Sequence, residues 1–205
     1  MKASGRHGYL FDRAGESARR VALPRVAAIR SRMAQCLLAV ALSALVLQPA
    51  AAHCIDDIPD AARVGEGNFC VMLFCLYRAE LYAPNGHYRD QATPYALRIT
   101  YRHSFSAAQL IDAGIAEMQR ISAAPPSSAA LAQWHADMAR AFGNVSAGDT
   151  LCGVSQPTRG VRFYRNGVLT AVIADPEFAE HFFGIWLDPK TRAPDLRQRL
   201  LGLER

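Results

Sequence analysis

GVRFYRNGVLTAVIADPEFAEHFFGIWLDPKTRAPDLRQRLLG, residues Gly160 to Gly202, is the stretch whose reading decides the fold. Val161, Phe163 and Arg165 alternate with Arg162 and Tyr164, and Asn166-Gly167 separates them from the apolar run Val168 to Ile173. Asn-Gly between two such runs predicts a hairpin, because a type I′ turn needs two residues that tolerate positive φ. Asp175-Pro176-Glu177 then opens a helix. Asp supplies the cap, Pro suits the first helical position, and Glu complements the dipole. Phe178, Phe182, Ile185 and Trp186 recur at helical spacing, and Trp186 is expected to face the sheet together with Phe178 and Phe182. A second short helix begins near Pro194, with Leu196, Leu200 and Leu203 on one face. A hairpin followed by two amphipathic helices predicts an α+β domain, an antiparallel sheet with helices layered on one face.

Upstream, the pattern is compatible with that architecture. Ala62 to Asn68 reads as a short glycine-softened strand, and Phe69 to Tyr82 as one long apolar strand, bent near Arg78 and ended by Pro84-Asn85-Gly86. Tyr95 to His103 alternates, with Tyr95, Leu97, Ile99 and Tyr101 on one face and Ala96, Arg98, Thr100 and Arg102 on the other. Ser106 to Ile121 predicts a helix capped by Ser104 or Ser106, with Leu110, Ile111, Ile115, Met118 and Ile121 inward. Ala124-Pro125-Pro126 breaks it. Ser127 or Ser128 caps a second helix with Leu131, Trp134, Met138 and Phe142 inside, ended by Gly143-Asn144. Gly148-Asp149 turns the chain into a strand from Thr150 to Ser155.

The first fifty residues are of another kind. An Arg-rich stretch precedes Cys36 to Leu47, an apolar run of about a dozen residues, too short to span a bilayer and suited to a signal-peptide core. Pro49-Ala50-Ala51-Ala52 offers a small-residue cleavage site. The expectation is a leader over 1–52, a domain over 53–205, no membrane span after cleavage, and a periplasmic or secreted location. Eight of the 23 Lys and Arg and two of the 18 Asp and Glu lie in 1–52, so the formal charge of 53–205 is −1 rather than +5. The basic character belongs to the leader, which removes the footprint a nucleic-acid partner would need.

Cys54, Cys70, Cys75 and Cys152 remain after cleavage, an even count that permits disulfides in an oxidising compartment. Cys70 and Cys75, five apart in what reads as one strand, should point to opposite faces and not pair with each other. The histidines are scattered, and no Cys/His spacing suggests a metal site. No cofactor is expected.

The order of elements resembles the chalcone isomerase fold, in particular bacterial exported chalcone isomerase-like proteins. The resemblance is carried by GEGNF (Gly65–Phe69), LYRAELYAPNG (Leu76–Gly86), ALRITY (Ala96–Tyr101), the Trp134 helix, SAGD (Ser146–Asp149), GVRFYRNG (Gly160–Gly167) and DPEFAEHFFGIWLDPKT (Asp175–Thr191). It implies an open-faced β-sandwich with a cleft between sheet and helices. Plant enzymes of that fold close a flavanone ring, which requires polar groups that stabilise a phenolate and an enolate. Carried over by order alone, the positions of those groups fall near Leu73, Ala108, Ile115 and Phe183, all apolar. Only Arg63 matches in type, at a shifted spacing.

The expectation is therefore a non-catalytic binder of an apolar or amphipathic small molecule, such as a fatty acid or an aromatic carboxylate. The candidate ligand-binding set is Arg63, Tyr77, Arg98, Tyr101 and Trp134, with Arg63 favoured over Arg98 as the anion clamp. No catalytic residue is assigned. An intramolecular lyase acting on another substrate, and a structural or interaction protein with a filled cleft, are the alternatives.

Overall fold

The computed structural model describes residues 54–203. The leader over 1–52, its cleavage after Ala52 and the proposed first residue His53 lie outside the described residues. Six strands form one antiparallel sheet in sequence order: β1 (Ala61–Val71), β2 (Phe74–Pro84), β3 (Tyr95–Tyr101), β4 (Thr150–Gln156), β5 (Gly160–Arg165) and β6 (Val168–Ile173). Two helices, α1 (Ala107–Ile121) and α2 (Ser128–Ala141), are inserted between β3 and β4, and α3 (Pro176–Leu187) and α4 (Pro194–Leu200) follow the sheet. This is the expected α+β layering. A two-residue bridge between Phe105 and Val145 closes the neck of the helical insertion.

Local chemistry explains most boundaries. Asn166 and Gly167 both take positive φ, 49° and 80°, as a two-residue I′ turn requires. Asn166 also accepts from the Thr150 backbone N–H at 2.7 Å, which fixes the turn against the start of β4. Ser106 caps α1 in a capping box with Gln109, Ser127 caps α2, and Asp175 caps α3 by accepting from Phe178 N at 3.0 Å. The end of α2 differs from expectation. Phe142, not a left-handed glycine, ends it in extended backbone (φ −99°) while donating to the Met138 carbonyl.

The largest departure lies in FCVMLFCLYRAELY. It is not one strand. The chain reverses at Met72-Leu73, with Met72 at φ 53°, so β1 and β2 are two 11-residue arms of a hairpin. Cys70 and Cys75 thereby become cross-strand partners and form a disulfide, overturning the expectation that they point apart. The parity argument assumed a continuous strand, and the reversal inverts it. A second disulfide joins Cys54 to Cys152.

Leu97, Ile99, Phe163 and Val161 on the sheet meet Phe178, Phe182, Phe183, Trp134 and Met138 from the helices in the main core. Helix α4 lies on β1, α3 on β5 and α2 on β6, whereas α1 packs chiefly on α2 and α3. The close approach of α4 requires Gly65, where a Cβ would sit 1.9 Å from the Arg199 carbonyl oxygen. Leu196 and Leu200 are buried there, but Leu203, expected on the same face, is exposed. The other face of the sheet is not wholly open. The Cys54–Asp57 turn covers Ala96, Cys152, Val154 and Tyr164 in a second, smaller cluster. Tyr164 donates to Asp57 at 2.5 Å across it.

Candidate functional site

A cavity of about 580 Å³ lies between the sheet and α1, closed at one end by α3 and the loop after it. Ala113 and Ala116 on α1 leave room there, whereas Gly114 and Gly153 are closely packed, a Cβ at the first meeting Met138 at 2.6 Å and at the second Phe163 and Phe183 at 3.2 Å. On α1, Leu110, Ala113, Gly114 and Glu117 follow at helical spacing toward the cavity, and on β4 the floor includes Gly153. The remaining wall is apolar and aromatic: Phe69, Leu76 and Tyr77 from the first hairpin, Leu97, Ile99 and Tyr101 from β3, and Phe182, Ile185 and Trp186 from α3. Concave, mostly apolar sites of a few hundred Å³ with few polar groups are typical of small-molecule pockets.

Those polar groups fall into two sets. Trp186 Nε1 donates to the Tyr77 hydroxyl at 2.9 Å, leaving the Tyr77 O–H as a donor. Tyr101 stands edge-on to Tyr77, with ring centroids 6.3 Å apart. Burial drives the pKa of both phenols upward; the Trp186 hydrogen bond partly offsets this for Tyr77, and the neighbouring Tyr77 adds to it for Tyr101. Both therefore stay neutral donors at physiological pH. The second set is charged. Glu117 on the wall of the cavity holds Arg192 at 2.9 Å and Arg120 at 2.8 Å. Arg120 shares that carboxylate from outside the cavity lining, so the three groups together carry one net positive charge, and Arg192 itself lines the cavity with about two thirds of its side chain exposed.

The sequence-derived set divides accordingly. Tyr77 and Tyr101 are brought together on the cavity wall. Arg63 and Arg98 are not in the cleft; both lie on the opposite face of the sheet. There Glu80, buried against the strands, accepts from Arg98 Nε at 2.9 Å and from Tyr82 OH at 3.1 Å. Arg63 pairs with Glu66 and approaches Glu80 at 3.7 Å, and Arg78 pairs with Glu66 as well. The register explains the placement. Arg63 pairs with Tyr82, and Glu80 pairs with Arg98, so all four side chains share the face away from the helices. Arg63 is thus an element of a five-charge lattice rather than an anion clamp. Trp134 is not on the wall either. It is buried beside Phe178 and His181, its Nε1 donating to the Asp175 cap at 3.0 Å.

The positions obtained by family order also miss the cavity. Leu73 is at the hairpin turn, Ala108 is exposed, Ile115 is half-buried, and Phe183 is in the core between Tyr95 and Gly153. Among the described residues, no group of three or more His, Cys, Asp and Glu side chains is arranged to hold a metal ion.

An antiparallel sheet, a helical layer on one face and an apolar cleft between them define an α+β protein of the open-faced sandwich class. The chain belongs to the chalcone isomerase-like family, whose model matches residues 65–202. An uncharacterized protein of Haemophilus influenzae is 24% identical over 139 residues, 68% of this chain and 67% of its own. The crystal structure of an Arabidopsis thaliana fatty-acid binding protein superimposes with a TM-score of 0.53. It covers 76% of this chain and 95% of its own at 8% sequence identity, a likeness of fold.

Proposed function

We propose that the protein binds an apolar or amphipathic small molecule bearing an acidic head group, such as a fatty acid, in the cleft between sheet and helices. The observation that carries this reading is the 580 Å³ apolar cavity with the Arg192–Glu117 pair on its lining and the Tyr77–Trp186 pair inside. A hydrocarbon tail would lie against the aliphatic and aromatic wall, and a carboxylate would displace or share Arg192 from Glu117. The likeness of fold to an Arabidopsis fatty-acid binding protein is in keeping with this chemistry. A cavity of this size argues against a scaffold whose cleft is filled.

The test is an oleate titration of wild type and single variants. Arg192→Ala is expected to weaken binding about tenfold, or about 1.4 kcal/mol, whereas Arg63→Ala and Arg98→Ala leave it unchanged. Equal affinity of wild type and Arg192→Ala would remove the rim arginine from the reading, and no binding by wild type would remove the ligand class.

A second reading, an intramolecular lyase, is favoured by one observation: two neutral phenol donors face the cavity, able to stabilise an enolate. Turnover of a chalcone at about 1 s⁻¹ or faster, within the usual range of enzymes, would establish it over the binder.

Export through a cleaved leader completes the proposal. The two disulfides support an oxidising compartment, periplasmic or extracellular. N-terminal sequencing of the protein recovered from its cells is expected to begin at His53. Retention of Arg19 to Leu47 would overturn the proposed processing.

A further inference from the structure

The tip of the first hairpin is an anomaly that the cleft does not explain. Val71, Met72, Leu73 and Phe74 are 45, 91, 94 and 69% exposed, four consecutive apolar side chains at a turn. A hairpin tip ordinarily carries polar turn residues, because its backbone faces water. Here the turn is clamped at its base by the Cys70–Cys75 disulfide, and strand pairing persists up to Val71 and Phe74. The backbone groups that face across the hairpin are therefore paired right up to the turn, which lowers the cost of placing the tip at an apolar interface.

We propose that this hairpin docks the protein on a phospholipid bilayer, the apolar tip entering the interface and the cleft opening beside it. Three features favour lipid over a protein partner. The patch is four side chains on a projecting turn, whereas a stable protein interface takes about 800 Å² from each side. A bilayer needs no complementary shape. Next, Phe69, Leu76 and Tyr77, just below the tip and its Cys70–Cys75 pair, are part of the cavity wall, so the cleft begins close to the tip. Last, charge is placed at the height of the head groups. No acidic residue occurs between Glu66 and Glu80. Arg102 is anchored to the strand by its N–H to the Leu76 carbonyl at 2.9 Å, with its guanidinium on Asn68 at 3.0 Å and exposed His103 beside it. Leu76 is three residues from Leu73, roughly 10 Å along a strand, which matches the depth to which interfacial segments enter. The proposal rests on the cleft reading for its purpose, exchange of an amphipathic ligand between bilayer and cavity.

The experiment is flotation with phosphatidylcholine vesicles containing a third of phosphatidylglycerol, using protein in the processed form the cell makes. Wild type is expected to float, and Met72→Asp/Leu73→Asp to float at least tenfold less while binding oleate within twofold of wild type. These positions are almost fully exposed, so folding is undisturbed. A Leu73→Trp variant reads the tip itself: its emission is expected to shift to the blue on vesicle addition and to be quenched by brominated lipid. Ala113→Trp, which fills the cleft, is expected to lose oleate but still float. Flotation of the double aspartate variant equal to wild type, or no quenching at Trp in place of Leu73, overturns the proposal. So does self-association through the tip without vesicle binding. Flotation by a wild type that binds no oleate overturns the cleft reading and the exchange role with it.

Discussion

Trp134→Ala is expected to destabilise the domain by about 3–5 kcal/mol, read as a lower urea midpoint. The indole is almost wholly enclosed, and its loss leaves a cavity among Phe178, His181 and the neighbouring helix. It also strips the Asp175 cap of one of its two hydrogen bonds. Trp134→Phe separates the two effects, since it keeps most of the volume and loses the N–H; its cost is expected nearer 1 kcal/mol plus the smaller void. Trp186, on the aromatic stripe of α3, is only half-buried and borders the cleft. It does face inward with Phe182, with ring centroids 5.4 Å apart. Trp186→Ala is therefore expected to cost less than Trp134→Ala. The reverse order would mean that α3 meets the sheet through its C-terminal end.

Cys54→Ala/Cys152→Ala is the second large effect. The bridge closes a 98-residue separation, for which loss of the cross-link costs about 4–5 kcal/mol on the chain-entropy account. The turn it tethers also covers Ala96 and Val154, so that cluster loosens as well. Cys70→Ala/Cys75→Ala opens a separation of only five residues and should cost roughly 2–3 kcal/mol less on the same account. Urea midpoints of the two double variants decide the ordering, and equal midpoints would show that loop length is not the controlling quantity.

How far these residues were legible depended on whether local chemistry marked them. Asn166-Gly167, Ser106, Ser127 and Asp175 carry side chains that perform the turn or cap themselves, so the elements they bound follow from the sequence. The parity of Tyr95 to Tyr101 likewise identified Tyr101 as inward. Met72-Leu73 carries no such mark. With no Gly, Asn or Pro at the reversal, an apolar run through it reads as one buried strand, and every parity inferred across it is inverted. That single turn decides the Cys70–Cys75 pairing and, through the bulged register, places Arg63 on the lattice around Glu80. Arg192 was invisible for another reason: it sits in a loop, where no period constrains its direction. Glu117 could have been found, since it continues the Leu110, Ala113, Gly114 face at helical spacing.

The Phe105–Val145 bridge has a consequence for how the molecule is assembled. Phe105 N–H reaches the Val145 carbonyl at 3.0 Å and Val145 N–H returns to Phe105 at 2.9 Å, so the roughly forty-residue helical excursion leaves and rejoins the sheet at one point. Its closure entropy is met at that neck, and lengthening the excursion adds only logarithmically to the cost. Strands β1 to β3 and β4 to β6 form two runs of sequence-local hairpins on either side of it, so pairing β3 with β4 is the one strand union that must wait for a long loop to close. The ceiling of the cleft is in this sense one excursion between Phe105 and Val145: the α1 face that lines the cavity sets what it admits, while the six-stranded floor folds by the same local steps.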